Sequence, residues 1–288
     1  MPKSYLGAYW GPRQQSAAVC ADVLARMLVM LSETDDSLSG WRDKSTSAQQ
    51  AFEAPVVTAD HDGLVRRLSA ARNRRDDDGQ PIEELGFSVS WWNGAEKTAS
   101  ATLSFGCGAW SPGISNRLVL QLPDSRVRPD LYAPAVARSL VAGIVELLDP
   151  DWAVWTNAGL ADKQREPDQQ LDNGGYVIGE LVGHAAGWAN YVSSHDSVTL
   201  NTTALPESAR VEPLGSGTLV LLGEDPKNPA LHDVLAVRKA MGYAVPAGDL
   251  VLGAAADSAA APVTAAQPEG DATSRPEQGD RPIGLTHP

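Results

Sequence analysis

The sequence predicts an α+β domain over residues 1–250, a mainly antiparallel β-sheet packed by several α-helices, followed by a disordered Ala/Pro/Gly-rich tail over 251–288. Three observations lead there. Apolar residues recur at three- and four-residue spacing in three segments, each with its own start and stop chemistry. Alternating apolar and polar runs lie between those segments, and Asn93-Gly94 marks a hairpin between two of them. Residues 251–288 hold nine alanines, five prolines, four glycines and no aromatic residue, too little apolar surface to offset the entropy of ordering. The rest of the 288-residue chain, 43 % hydrophobic and 20 % charged overall, is ample for one continuous core.

The first expected element is a strand over Tyr5 to Trp10. After Gly11-Pro12, the stripe Val19, Cys20, Val23, Leu24, Met27, Leu28, Leu31 predicts a helix with one broad apolar face. Leu85, Phe87, Val89 and Trp91 alternate with Gly86, Ser88 and Ser90, and a partner run follows at Ala99, Ala101, Leu103 and Phe105. A two-residue loop of Asn93 and Gly94 sets Phe87 against Ser100, apolar opposite polar. A three-residue loop of Trp92, Asn93 and Gly94 sets Phe87 against Ala99 and Leu85 against Ala101, and this is the expected register. A strand at Leu118 to Leu122 comes next. Asp130 then caps a second helix with the stripe Ala137, Leu140, Val141, Ile144, Val145, Leu148, with Pro134 in the first turn and Asp149-Pro150 ending it. Ala153 to Thr156 reads as a strand. A fourth helix is read from Ile178 to Val192, where Gly179, Gly183 and Gly187 recur every four residues. Strands at Arg210 to Pro213 and Thr218 to Leu222 precede a third striped helix, opened by Asn228-Pro229, with Leu231, Val234, Leu235 and Met241 inward and Gly242 at its stop.

Charge narrows the function. With 23 basic and 36 acidic residues the net charge is -13, which repels phosphate backbones and anionic membranes, so nucleic acid is not expected as a direct ligand. Residues 151–250 hold 13 acidic against 6 basic residues, so the acidity leans toward the carboxyl half. No apolar run approaches the ~20 residues of a spanning helix, and the first ten residues lack the layout of a secretory signal. A cytoplasmic protein without membrane contact is expected. Two cysteines, Cys20 and Cys107, suit a reducing compartment and read as small buried hydrophobes.

Motifs for catalysis are missing. His61, His184, His195, His232 and His287 show no metal-ligand spacing, and Asp60-His61-Asp62 reads as a solvated loop. There is no Gly-x-Ser-x-Gly and no phosphate-binding Gly-x-x-x-x-Gly-Lys, and Gly106-Cys107-Gly108 lacks the third glycine of a dinucleotide fingerprint. Glu83 and Glu84 are adjacent and point to opposite faces if a strand begins there, so they form no facing acid pair unaided. Asp76, Asp77 and Asp78, after Arg72, Arg74 and Arg75, read as an exposed loop. Eight tryptophans accompany only three phenylalanines. Adjacent Trp91 and Trp92 face opposite sides of their strand, so at most one enters a shared core. No metal, cofactor or catalytic residue is implied.

Several short motifs in one order resemble the immunity protein 52 family of bacterial polymorphic toxin systems. They are Tyr9-Trp10-Gly11-Pro12-Arg13, Arg72-Asn73 with its acidic loop, Pro81-Ile82-Glu83-Glu84-Leu85-Gly86-Phe87-Ser88, Trp92-Asn93-Gly94, Asp149-Pro150-Asp151-Trp152, Gly187-Trp188 and Arg210-Val211-Glu212-Pro213. The likeness runs from about Tyr5 to Gly242. It implies a non-enzymatic antitoxin that binds and blocks a cognate secreted toxin. Several relatives accompany toxins with a restriction-endonuclease-like domain, so the implied target is a nuclease. The mouth of a nuclease site is basic, and an acidic inhibitor can imitate the nucleic acid's charge and occlude the cleft. The expected footprint is roughly 800 Å² per partner. Its expected anchors are Asp76, Asp77, Asp78, Glu83, Glu84 and the outward-facing Trp92, with Glu224 and Asp225 as a second acidic group. Two other classes compete. A carbohydrate-active enzyme or sugar-binding module needs a row of exposed tryptophans beside two carboxylates, and a secretion adaptor needs only a toxin-binding surface. The oligomeric state is left open.

Overall fold

The computed structural model describes residues 3–245, apart from 46, 167, 168 and 173. The segment 251–288, read above as a disordered tail, lies outside the described residues. β1 (Ser4–Trp10) leads into α1 (Ala17–Thr34), whose cap is Ser16, its hydroxyl accepting the Val19 amide at 3.3 Å. Cys20, Leu24, Met27, Leu28 and Leu31 are buried as the stripe predicts, but Val19 at its start is 45 % exposed. β2 (Arg42–Asp43), α2 (Ala48–Glu53) and α3 (His61–Ala70) follow. The triplet read as a loop is the start of α3: the Asp60 carboxylate accepts the Gly63 amide at 2.7 Å, and Leu64 and Leu68 are buried against α1. Ten residues with two apolar contacts gave too short a stripe to read.

β3 (Phe87–Trp92), β4 (Thr102–Cys107) and β5 (Asn116–Gln121) form a meander. The expected hairpin register is wrong. Phe87 pairs with Cys107, Val89 with Phe105 and Trp91 with Leu103, leaving residues 93–101 as a wide loop. Larger apolar partners decide this register over the small alanines, and Asn93 makes the wide loop affordable. Its side-chain oxygen accepts the Ala95 and Ala101 amides, and its side-chain nitrogen donates to the Ser37 and Ala99 carbonyls, all at 2.8–3.2 Å. Leu85 lies outside the strand, in a 3-10 turn over Glu83–Leu85.

Ala133, which makes no side-chain capping bond, takes the N-cap position of α4 (Pro134–Leu148) in place of Asp130, which sits in a separate 3-10 turn over Pro129–Tyr132. The residue before a proline is pushed out of the helical region, and Ala133 at φ -64°, ψ 131° breaks the run there. β6 (Trp152–Asn157) and α5 (Ala158–Asp162) come next, then the small hairpin β7 (Gln169–Gln170) and β8 (Tyr176–Val177). No helix occupies Ile178 to Val192. Residues 178–188 are non-helical, and β9 (Ala189–Ser193) is a strand buried at every position. A strand covered on both faces loses its alternation, which left the glycine spacing as the stronger pattern. β10 (Ala209–Leu214), β11 (Gly217–Leu222) and α6 (Leu231–Ala240) complete the described fold.

The nine-stranded antiparallel sheet runs β10-β11-β9-β6-β1-β5-β4-β3-β2. Leu6, Ala8 and Trp10 of β1 share one face with Leu118 and Leu120, Leu103 and Phe105, Val89 and Trp91, and α1, α3 and α4 cover it. The opposite face divides in two. Over β6 and β9 it is covered by the segment around Val182–Gly187: Thr156 and Gln164 donate to the Ala186 carbonyl, and Asn190 exchanges two hydrogen bonds with Gly187. Buried Arg238 of α6 fastens that segment, donating to the carbonyls of Val182 and His184. Over β1, β5, β4 and β3 no second layer lies on the sheet among the described residues. The edges are short or interrupted: β2 has two residues, and β10 carries Pro213. Among the described residues no helix is long and apolar enough to cross a membrane.

One ion pair gives the fold an acid-sensitive contact. Burial pushes the Asp35 carboxyl up, but hydrogen bonds from Ser37 and from Arg128 outweigh it and hold the group below the ordinary carboxylate range. A depressed folded value means that Asp35 stabilises the fold above the unfolded value and that this contribution is lost as pH falls through the folded one. Asp35→Asn is therefore expected to flatten the fall in stability below about pH 4, measured as urea midpoints from pH 7 down to pH 2.5.

Candidate functional site

The acidic loop is built as a flap on the sheet. Arg72 bridges Phe87 and Arg74 bridges Pro81, and the Arg75 amide reaches the Gln80 carbonyl at 2.9 Å, so residues 72–81 extend the sheet beside the start of β3. Asp76, Asp77 and Asp78 form the exposed turn at its tip. At its base the Arg72 guanidinium lies over the Phe87 ring at 4.7 Å and reaches the exposed Glu83 carboxylate at 3.6 Å. The Glu84 carbonyl accepts the amides of Trp110 and Ser111. The 3-10 turn, and not a strand, carries Glu83 and Glu84, and Gly86 at φ 63° turns the chain into β3. The flap thus gathers five of the expected anchors at one end of β3.

Trp92 stands at the other end of the same strand, five residues and about 17 Å from Phe87. Trp91 is buried and donates to the Asp43 carboxylate at 2.9 Å, whereas Trp92 is half-buried and meets Phe52 edge-on, centroids 4.9 Å apart. The two tryptophans face opposite ways, as adjacent strand residues must. Trp92, Phe52, Ala51 and Ala95 line an open cleft of about 570 Å³, with Lys44, Glu96 and Lys97 on its margin. Glu224 and Asp225 belong elsewhere. They follow β11, six strand positions from β3, so roughly 29 Å separates them from the other anchors across the sheet. One footprint centred on β3 therefore holds the flap and Trp92 but leaves out Glu224 and Asp225.

Chemistry-bearing residues serve mainly as structure. His184, expected on a helix, stacks on Trp152 at 4.4 Å and pairs with the buried carboxylate of Asp196 at 2.7 Å, while Tyr9 stacks on the far side of Trp152 at 4.2 Å. Sequence reasoning missed this ladder because its members come from three distant segments. The Asp151 carboxylate accepts the Gly11 amide at 2.7 Å. Cys20 and Cys107 are buried and free, and the hydrogen bond between them together with burial drives the Cys107 thiol far above its ordinary value. Among the described residues no group of three His, Cys, Asp or Glu side chains converges as a metal site. Trp10, Trp41, Trp91, Trp155 and Trp188 are buried, and the three accessible ones, Trp92, Trp110 and Trp152, stand on separate elements, so the aromatic row that a sugar needs is not formed among them.

The motifs that carry the family resemblance explain themselves by packing. Trp10 is buried against Phe105, Arg13 donates to the Leu148 and Asp149 carbonyls at 3.0 Å, and the Asn116 side chain ties Gly11 to Ala109. The two Arg13 bonds satisfy the carboxyl end of α4, where Asp149 takes the left-handed conformation at φ 44°. Asp151→Asn is accordingly expected to cost about 1 kcal/mol in stability, read from denaturation midpoints, without abolishing whatever the surface binds.

A family model described as Immunity protein 52 matches residues 3–240, nearly the whole described region. No curated protein sequence matches the chain. Among solved structures, the Pseudomonas aeruginosa T6SS protein PA0821 is similar at 10 % identity and TM-score 0.47, over 83 % of this chain and 75 % of that one.

Proposed function

This chain belongs to the immunity protein 52 family, and from that premise we propose that it binds a cognate secreted toxin in the cytoplasm of the producing cell and neutralises it by occluding its active site. The proposed target is a nuclease, probed by a protein that makes and breaks no covalent bond. The observation that carries the reading is the family match over residues 3–240. The charge of -13 supports a basic partner surface, because an acidic inhibitor is drawn to the mouth that attracts phosphates. Asp76, Asp77, Asp78, Glu83, Glu84 and Trp92 are the proposed contacts on the β3 side, with Glu224 and Asp225 available only to a second, separate contact.

The test is to express the neighbouring toxin domain in the cytosol with and without this chain. Restored growth, co-purification and inhibition of DNA cleavage in vitro are expected. Growth arrest unrelieved by the chain refutes the reading, and relief of a toxin that cleaves no nucleic acid refutes the nuclease target alone. Reversing Asp76, Asp77 and Asp78 together to lysine is expected to slow association about tenfold at low salt and to flatten its salt dependence, with little change in the dissociation rate. Stopped-flow binding at two salt concentrations measures both.

A further inference from the structure

The half of the sheet that has no second layer among the described residues carries a pattern of its own. Three rows of paired residues cross β3, β4, β5 and β1 on that face: Trp92–Thr102–Gln121–Tyr5, Ser90–Ser104–Val119–Gly7 and Ser88–Gly106–Arg117–Tyr9. Ser88, Ser90 and Arg117 are exposed and most of the others half-buried, while their neighbours along each strand are buried under the helices. Of these twelve positions only Arg117 is ionised, in a chain that is 20 % charged. The ionised carboxylates stand at its edge instead: the flap with Asp76–Asp78 and Glu83 adjoins the Ser88 corner, while at the Trp92 corner Glu96 is accompanied by Lys44 and Lys97.

We propose that this face is the surface that docks the toxin, a protein whose own contact is neutral at its centre and basic where it meets the acidic flap; the assignment rests on the immunity reading above. Hydroxyls, tyrosines and a tryptophan with no carboxylate or lysine lose little on desolvation, which is the composition of the centre of a protein interface, and the acids of the flap steer a basic partner into register. Nucleic acid fits poorly, since one arginine gives its phosphates a single counter-charge. Size agrees as well. Four strands about 4.8 Å apart and three rows about 6.8 Å apart make a patch of roughly 400 Å², and the adjoining flap and Phe52–Trp92 cleft extend it toward the ~800 Å² of a stable complex.

The test uses the intact chain and the toxin domain encoded beside its gene. Ser90→Arg and Ser104→Arg place a charge in the middle row without touching the helix-covered core, and each is expected to weaken binding at least roughly 30-fold with melting unchanged. Hydroxyl-radical labelling of Tyr5, Tyr9 and Trp92 in the unaltered protein is expected to fall when the toxin is added. If Ser104→Arg folds poorly, exposed Ser90 and the labelling carry the test. Unchanged affinity and labelling, with the intact chain still binding, overturn the docking face and leave the immunity reading standing. A face whose substitutions dissolve a homodimer by light scattering but spare toxin binding also overturns it. Failure of the intact chain to bind overturns both.

Discussion

Alanine at Gly86 is expected to destabilise the fold by more than about 3 kcal/mol. Gly86 has φ 63° and ψ -138°, a region essentially closed to other residues, and a Cβ there collides with the backbone of Cys107, Gly108 and Ala109. Backbone on the far side of a paired strand cannot step aside as a flexible side chain does. Either the start of β3 peels from the end of β4 or the 3-10 turn bearing Glu83 and Glu84 is rebuilt. For a domain of this size the loss corresponds to a melting decrease of about 6–12 °C, measured by circular dichroism with urea midpoints as the second readout. Gly79, also at positive φ but with nothing within 4 Å of its added Cβ, is the control and carries only the backbone cost.

Trp155→Ala is expected to cost about 3–5 kcal/mol. The ring is fully buried, lies edge-on to Tyr132 at 5.8 Å and to Trp188 at 6.0 Å, and donates its Nε1–H to the Pro226 carbonyl at 3.1 Å. Removal leaves a cavity on the helix-covered face of β6, beside Tyr132, and an unpaired carbonyl, two penalties that add. Trp110→Ala, 42 % exposed, is expected to change stability by no more than about 0.5 kcal/mol. Together the two variants sort the eight tryptophans into core and surface by denaturation alone. Equal costs would show that the buried ring is loosely held.

Legibility followed the physics of each element. α1 and α4 were readable because an amphipathic stripe of five or more apolar residues repeats at one period, and β1, β5, β6, β10 and β11 were readable because short alternating or apolar runs lie between clear breakers. α3 was too short and too polar. β9 was hidden by burial on both faces, which removes the alternation that identifies a strand. The β3–β4 register departs from the short loop that the adjacent Asn93-Gly94 suggests, because the structure fills four hydrogen-bonding positions of Asn93 to hold a nine-residue loop open. For the candidate site, sequence placed Asp76–Asp78 in an exposed turn and put Trp92 opposite Trp91, both local properties. That Glu83 and Glu84 share a flap with those aspartates, and that Glu224 and Asp225 lie six strands away, followed only from the order of the sheet.

Composition and periodicity by themselves determined an acidic α+β domain with a core of striped helices and short strands, since each of those features is set by neighbours a few residues apart. Only the tertiary structure decided which strands pair, which half of the sheet lacks a second layer among the described residues and which carboxylates stand at its edge. Those depend on contacts between residues tens to hundreds of positions apart, where the choice lies with the burial of whole faces and leaves no periodic trace along the chain.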